Sequence, residues 1–281
     1  MLTPWWLKVK RAQKHMVDIH REAWRYASRH PYSFSRIRLP DSKRNVLYRM
    51  RITEQSNPMI AIMLGDFIHN LRCALDYIIV ASVPRRRQNS ASFPILLEDI
   101  FATDDDGNYV VNDAERRKNF ETAINDLSPE ARKCVIGTQP YHLGGEAYRH
   151  NLGIISRLEN ADKHRQLITV GGGVQGITAM FSLRGIAATA PFTEFSFKDE
   201  FAKDGTIVGI EMPTDFPMPD GTAIQPSEVD MELTGTAKIF IKITRVTPNE
   251  PPSDFPLRLT MLNAIGDVRR MLRLLGPFAH N

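Results

Sequence analysis

The chain has 281 residues, of which 42% are hydrophobic and 24% charged, so it can bury a full core in one large domain or two small ones. Two cysteines, Cys73 and Cys134, exclude a disulfide framework and a CxxC metal site, and no apolar run approaches the ~20 residues of a membrane-spanning helix; the expectation is a cytoplasmic protein with no membrane partner. The net charge of +4 is unevenly spread: residues 1–89 hold 17 Lys+Arg against 6 Asp+Glu, a balance of +11 that suits either a phosphate-rich partner or docking on the acidic residues 90–281, balance −7, of the same or a second copy.

Capping chemistry marks three helix starts, because Thr3-Pro4, Asn57-Pro58 and Ser128-Pro129 each pair a side-chain acceptor with proline at the first helical position. The first helix is predicted over Pro4 to Ser28 and the second from Pro58 to about Ser82, before Pro84. Between them, residues 32–39 and 46–52 largely alternate apolar with polar or basic side chains, which predicts an inserted β-hairpin near 32–53. A long connection over 85–111 carries a buried anchor, Phe93-Pro94-Ile95-Leu96, and helical patterning returns at 113–125, 129–136 and from Glu146 to about Asn160. After Gln166 the pattern turns to glycine-punctuated strands, and a final helix spans about Asp254 to Leu275, ended by Gly276-Pro277.

The expected fold is therefore α+β: a helical bundle with an inserted β-hairpin over 1–165, an antiparallel β-sheet segment over 166–250, and a C-terminal helix over 251–281 packing back on the body.

Two polar clusters interrupt this apolar plan. In the second helix, Asp66, His69, Arg72 and Asp76 fall on one side at about 100° per residue, while Leu64, Phe67, Ile68, Leu71, Ala74, Leu75 and Ile78 cover the rest. Cys73 lies among these apolar neighbours and reads as a small core residue. A later stretch, Asn160-Ala161-Asp162-Lys163-His164-Arg165, supplies charges that the first row needs, since burying ionisable groups unpaired costs several kcal/mol each. If the helix from Glu146 continues to His164, then His150, Arg157 and His164 share a stripe. One reading of these rows is a supporting salt-bridge network of Asp66, Asp76, Asn160, Asp162, Lys163 and Arg165; another is a site. No metal is expected, because the eight histidines show no HExxH or HxH pair, and no cofactor motif is legible. Candidate nucleic-acid contacts are Lys10, Arg11, Lys14, Arg85, Arg86 and Arg87.

The motifs Gly65-Asp66-Phe67-Ile68-His69-Asn70-Leu71-Arg72-Cys73-Ala74-Leu75-Asp76, Phe93-Pro94-Ile95, Gln139-Pro140-Tyr141 and Asn160-Ala161-Asp162-Lys163-His164-Arg165, in that order, resemble a family of uncharacterised bacterial proteins frequent in actinobacteria. The segment Arg157 to His164, an arginine and a histidine with six residues between them, also resembles the Arg-x4-6-His motif of HEPN-type helical ribonucleases. Two features depart from that group: Leu158 follows the arginine where a polar residue is usual, and the strand-rich segment is no part of a simple HEPN bundle. The HEPN resemblance implies metal-independent RNA cleavage in a homodimer, with His164 as acid or base, Arg157 stabilising charge on phosphorus, and His69 and Arg72 completing the site. The alternative is a non-catalytic module that binds RNA, other single-stranded nucleic acid or protein, in which the charged clusters are structural.

Overall fold

The computed structural model describes residues 3–30, 32–37, 45–54, 57–111, 113–163, 169–183, 186–188, 206–211, 234–245 and 255–279. Apart from Ser33, the segments within 32–52 and 169–245 are described by their backbone alone, as are Asp162 and Lys163. Among the described residues six α-helices follow in order: α1 Pro4–Ser28, α2 Met59–Ser82, α3 Ala114–Ile124, α4 Pro129–Gly137, α5 Asn151–Lys163 and α6 Leu257–Leu275, with 3-10 segments at Arg85–Ser90, Pro140–Arg149 and Gly276–Phe278. Local chemistry explains several of their limits. Asp113 caps α3 by accepting from the Arg116 N–H at 2.9 Å, and Ser128 caps α4 by accepting from the Ala131 N–H at 3.2 Å, with Pro129 in the first turn.

The chain divides into two compact units. One comprises Met1–Glu22, Pro58–Val170 and Lys242–Asn281; the other comprises Ala23–Asn57 and Gly171–Ile241. The core of the first unit is helix on helix. Helix α2 packs against both α5 and α6, and these pack on each other. Phe67, Leu71, Leu75 and Ile78 of α2, Leu152, Ile155 and Leu158 of α5, and Met261, Ile265 and Val268 of α6 are all buried there. Helix α1 runs antiparallel to α2, since Lys8 reaches the Tyr77 ring and His15 feels the charge of Asp66. In the second unit, the Tyr26 hydroxyl donates to the Glu54 carbonyl at 2.8 Å and Arg29 pairs with the Glu54 carboxylate, tying the end of α1 to the chain before α2.

The expected α+β fold is corrected: the interpretable part is 74% helix and 3% strand, with no β-sheet, so the inserted β-hairpin and the antiparallel β-sheet segment are not part of it. Extended backbone runs outside that part, at Tyr32–Ile37 alongside Asn45–Ile52, and at Thr169–Leu183, Thr206–Glu211 and Thr234–Arg245. The physical reason lies in how the helices are covered. The helical stripes of α2, α5 and α6 cover one another, so the helical core closes without a sheet, and the alternating segments pair with one another instead: Tyr32–Ile37 runs antiparallel to Asn45–Ile52, and Asn45–Ile52 antiparallel to Thr206–Glu211.

A second correction concerns α5. The helix expected from Glu146 is broken: residues 140–149 form a 3-10 segment with Gly144 at φ 55°, and His150 leaves the helical region before α5 begins at Asn151. His150 is therefore a cap and not the first member of a stripe, its Nδ1 accepting from the Leu152 N–H at 3.2 Å. Close approach fixes this corner. A Cβ on Gly153 would stand 2.5 Å from the Ala147 carbonyl oxygen and 2.9 Å from Leu97 Cδ2, so α5 packs on the preceding segment only through glycine.

Candidate functional site

The polar row of α2 separates into two groups with different work. Arg72 and Asp76, one helical turn apart, form an ion pair at 3.2 Å, their side chains only 18% and 28% exposed. Together they hold Phe93 by both backbone groups: the Phe93 N–H donates to Asp76 Oδ1 at 2.8 Å, and Arg72 donates to the Phe93 carbonyl at 2.6 Å. The pair thus pairs with Phe93 much as a neighbouring strand would, and the Phe93 ring is driven into the core. Gln139 does the same for the next residues. It is buried, its side-chain oxygen accepts from the Leu96 N–H at 2.9 Å, and its amide donates to the carbonyls of Pro94 and Val135 at 3.0 and 2.9 Å. The anchor Phe93-Pro94-Ile95-Leu96 is fastened to α2 at one end and α4 at the other.

His69 makes a different set of contacts. Its Nδ1 lies 3.4 Å from Glu159 Oε1 on α5, and its Nε2 lies 3.4 Å from the Cys73 Sγ one turn along α2. A carboxylate only accepts, so Nδ1 donates to Glu159, and in the neutral imidazole Nε2 is then the acceptor facing the Cys73 thiol. The His69 side chain is 55% exposed and that of Glu159 only 5%. Cys73 is half-buried, and burial pushes its thiol above the ordinary range, a rise that Lys8 opposes.

Beside this row a cleft of about 360 Å³ opens between α2, the Ser92–Leu96 connection, α3 and α5. Arg72, Arg116, Asn119, Ser156, Glu159 and Asn160 give it a polar wall, and Phe93, Pro94 and Phe120 an apolar one. Arg116 already pairs with Glu98 at 2.9 Å and with Asp113 at 3.8 Å. Among the described residues, no group of three His, Cys, Asp or Glu is placed to hold a metal ion.

The remaining predicted residues are scattered. Asp66 is exposed on α2, and Arg157 donates to the Tyr148 carbonyl at 3.4 Å with its guanidinium 5.9 Å from the Tyr148 ring centre. Asn160 is exposed at the cleft rim. The side chains of Asp162 and Lys163, and His164 and Arg165 altogether, lie outside the described residues. Lys10, Arg11 and Lys14 are exposed on one face of α1, flanked by exposed Leu7 and Val17, and make no ion pair with any described residue. Arg85 and Arg86 are exposed as well, whereas Arg87 is held by Asp126 at 2.7 Å. Glu159, the clamping role of Gln139 and the placement of Cys73 escaped the sequence reading. For Glu159 a signal was there: it sits four residues after Ile155 and seven after Leu152, on the buried stripe of α5, where a carboxylate is out of place.

Comparison with family models, with curated proteins and with solved structures finds no match to this chain. Among the described residues, no helix is long and apolar enough to cross a membrane.

Proposed function

We propose that this chain is a nucleic-acid-binding module, with single-stranded RNA as the preferred class, acting through the basic face of α1 while Arg72 and Asp76 serve the fold. The observation that carries this reading is a contrast between two sets of charges. Arg72 and Asp76 are engaged with each other and with both backbone groups of Phe93, whereas Lys10, Arg11 and Lys14 stand in solvent without a carboxylate partner among the described residues. Unpaired exposed cations one helical turn apart attract a phosphate chain and release its counterions on contact, giving affinity that falls steeply with salt.

The experiment is a salt titration of binding to a labelled single-stranded RNA, with wild type against the triple charge reversal Lys10→Glu, Arg11→Glu, Lys14→Glu. Each lost phosphate contact lowers the slope of log K against log salt by about 0.7, so the triple variant should lose roughly two units of slope. Wild-type protein that fails to bind RNA at low salt overturns the proposal.

A metal-independent ribonuclease is the second reading, favoured by one arrangement: the buried Glu159 carboxylate behind the half-exposed His69 is the base-and-orienter pair that acid-base chemistry uses. In that reading Arg157 and His164 add charge stabilisation and a second acid or base, and two copies of the chain share the cleft. RNA cleavage by wild type in the presence of a chelator, lost in His69→Ala and His164→Ala, would favour it over simple binding.

A further inference from the structure

We infer that Cys73 is a nucleophile toward activated acyl groups, with His69 as its base and Glu159 as the residue that orients His69. Three groups in line carry the inference: the Cys73 Sγ, 3.4 Å from His69 Nε2, and His69 Nδ1, 3.4 Å from Glu159 Oε1. A nucleophile within reach of a base that is itself held by a third group is the general pattern of covalent catalysis, and resting separations are commonly looser than those in the reacting complex. The three sit on two packed helices, α2 and α5, so their spacing is set by the core and not by a loop.

The surroundings fit a base-dependent thiol. Burial pushes the Cys73 thiol up, so the resting group is the thiol and its reactivity depends on a neighbour that takes the proton. The charged groups acting on it are Lys8, Asp76, Glu159 and Arg72. Of the two cations acting on this thiol, Lys8 on α1 has the larger effect, and its charge favours the oxyanion that forms when an acyl carbon is attacked. The exposed His69 ring leaves the site open to a small substrate from solvent.

The step balances without a further reagent. Sγ attacks the acyl carbon of an ester, and the thiol proton passes to His69 Nε2. The bond from that carbon to the leaving oxygen breaks, and the proton goes on to that oxygen. A thioester on Cys73 and a free alcohol result, with the imidazole restored. None of this rests on nucleic-acid binding.

The test uses the full chain and p-nitrophenyl acetate, quenched in acid, with the acetyl group located by peptide mass spectrometry. Cys134, also half-buried, is the internal reference. Cys73 should be acetylated faster than Cys134 and should lose the label in Cys73→Ser. His69→Ala, at an exposed position that should not disturb folding, should slow Cys73 by ~10²-fold or more and leave Cys134 unchanged. Glu159→Ala should slow Cys73 acetylation, and Glu159→Gln, whose amide oxygen can still accept from His69 Nδ1, should restore most of the rate with Cys134 unchanged in both; a merely structural loss would not be rescued by the conservative variant. Equal labelling of the two cysteines in wild type, or a wild-type rate at Cys73 in His69→Ala, overturns the inference.

Discussion

Asp76→Ala is the most direct probe of whether the α2 row serves the fold or a reaction. The substitution removes the acceptor of the Phe93 N–H, bonded at 2.8 Å, and the ion-pair partner of Arg72 at 3.2 Å. A hydrogen bond to a charged group contributes about 1.5–3 kcal/mol, and a buried backbone N–H left unmet costs about 1–3 kcal/mol. Arg72 keeps its bond to the Phe93 carbonyl, and the Asp76 side chain is 28% exposed, so water partly compensates. The expected loss is therefore about 2–3 kcal/mol, equivalent to a fall in melting temperature of roughly 5–10 °C for a chain of this size class. Asp76→Asn retains an oxygen acceptor for the Phe93 N–H and loses only the charge, so about 1 kcal/mol is expected. Thermal and urea melts on the two variants measure this, with RNA binding recorded on the same preparations. RNA affinity should be unchanged in both wherever the protein is folded. A wild-type melting temperature in Asp76→Ala, or equal losses in the Ala and Asn variants, would refute the clamp.

Two further outcomes follow from the geometry around α5. Gly153→Ala would ordinarily favour a helix by about 1 kcal/mol, but here its Cβ meets the Ala147 carbonyl oxygen at 2.5 Å; a net loss of about 2 kcal/mol is expected, read as a lower urea midpoint at unchanged slope. Burial holds His150 below the ordinary histidine value, against the opposing pull of Asp267, and its Nδ1 must stay unprotonated to accept from the Leu152 N–H. The unfolded chain then binds this proton more readily than the folded one, so the contribution is fully present above pH ~6.5 and is lost as pH falls below that value. Melts at about pH 7.5 and 5.5 should show wild type losing more stability on acidification than His150→Asn, whose amide oxygen caps without titrating. Equal losses would contradict this account.

The parts of the fold legible in the chain are those written in local chemistry. Pro4 and Ser28 bound α1 as expected, Ser128-Pro129 starts α4 through a single side-chain hydrogen bond, and the apolar anchor at Phe93 is buried. The row Asp66, His69, Arg72, Asp76 was also visible, because helical spacing alone places those residues on one side. Its meaning was not. Whether Arg72 serves a reaction or a clamp depends on Phe93, 21 residues away, and whether Cys73 is a core residue or a thiol facing a base depends on Glu159, 90 residues from His69. Nor could the alternating stretches at 32–52 and 167–246 tell whether a sheet layer covers the helices, since alternation marks a face to be buried without naming what buries it. Most helix positions follow from neighbours within about one turn, and the sequence by itself determined them. Of the three expected caps, Ser128 bonds a helix N–H, while Thr3 Oγ1 has no hydrogen-bond partner among the described residues and α2 starts at Met59 without a side-chain cap. The partners of Arg72, His69 and Gln139 were decided only by tertiary structure, because hydrogen bonds and desolvation act across space between segments whose adjacency no local pattern encodes.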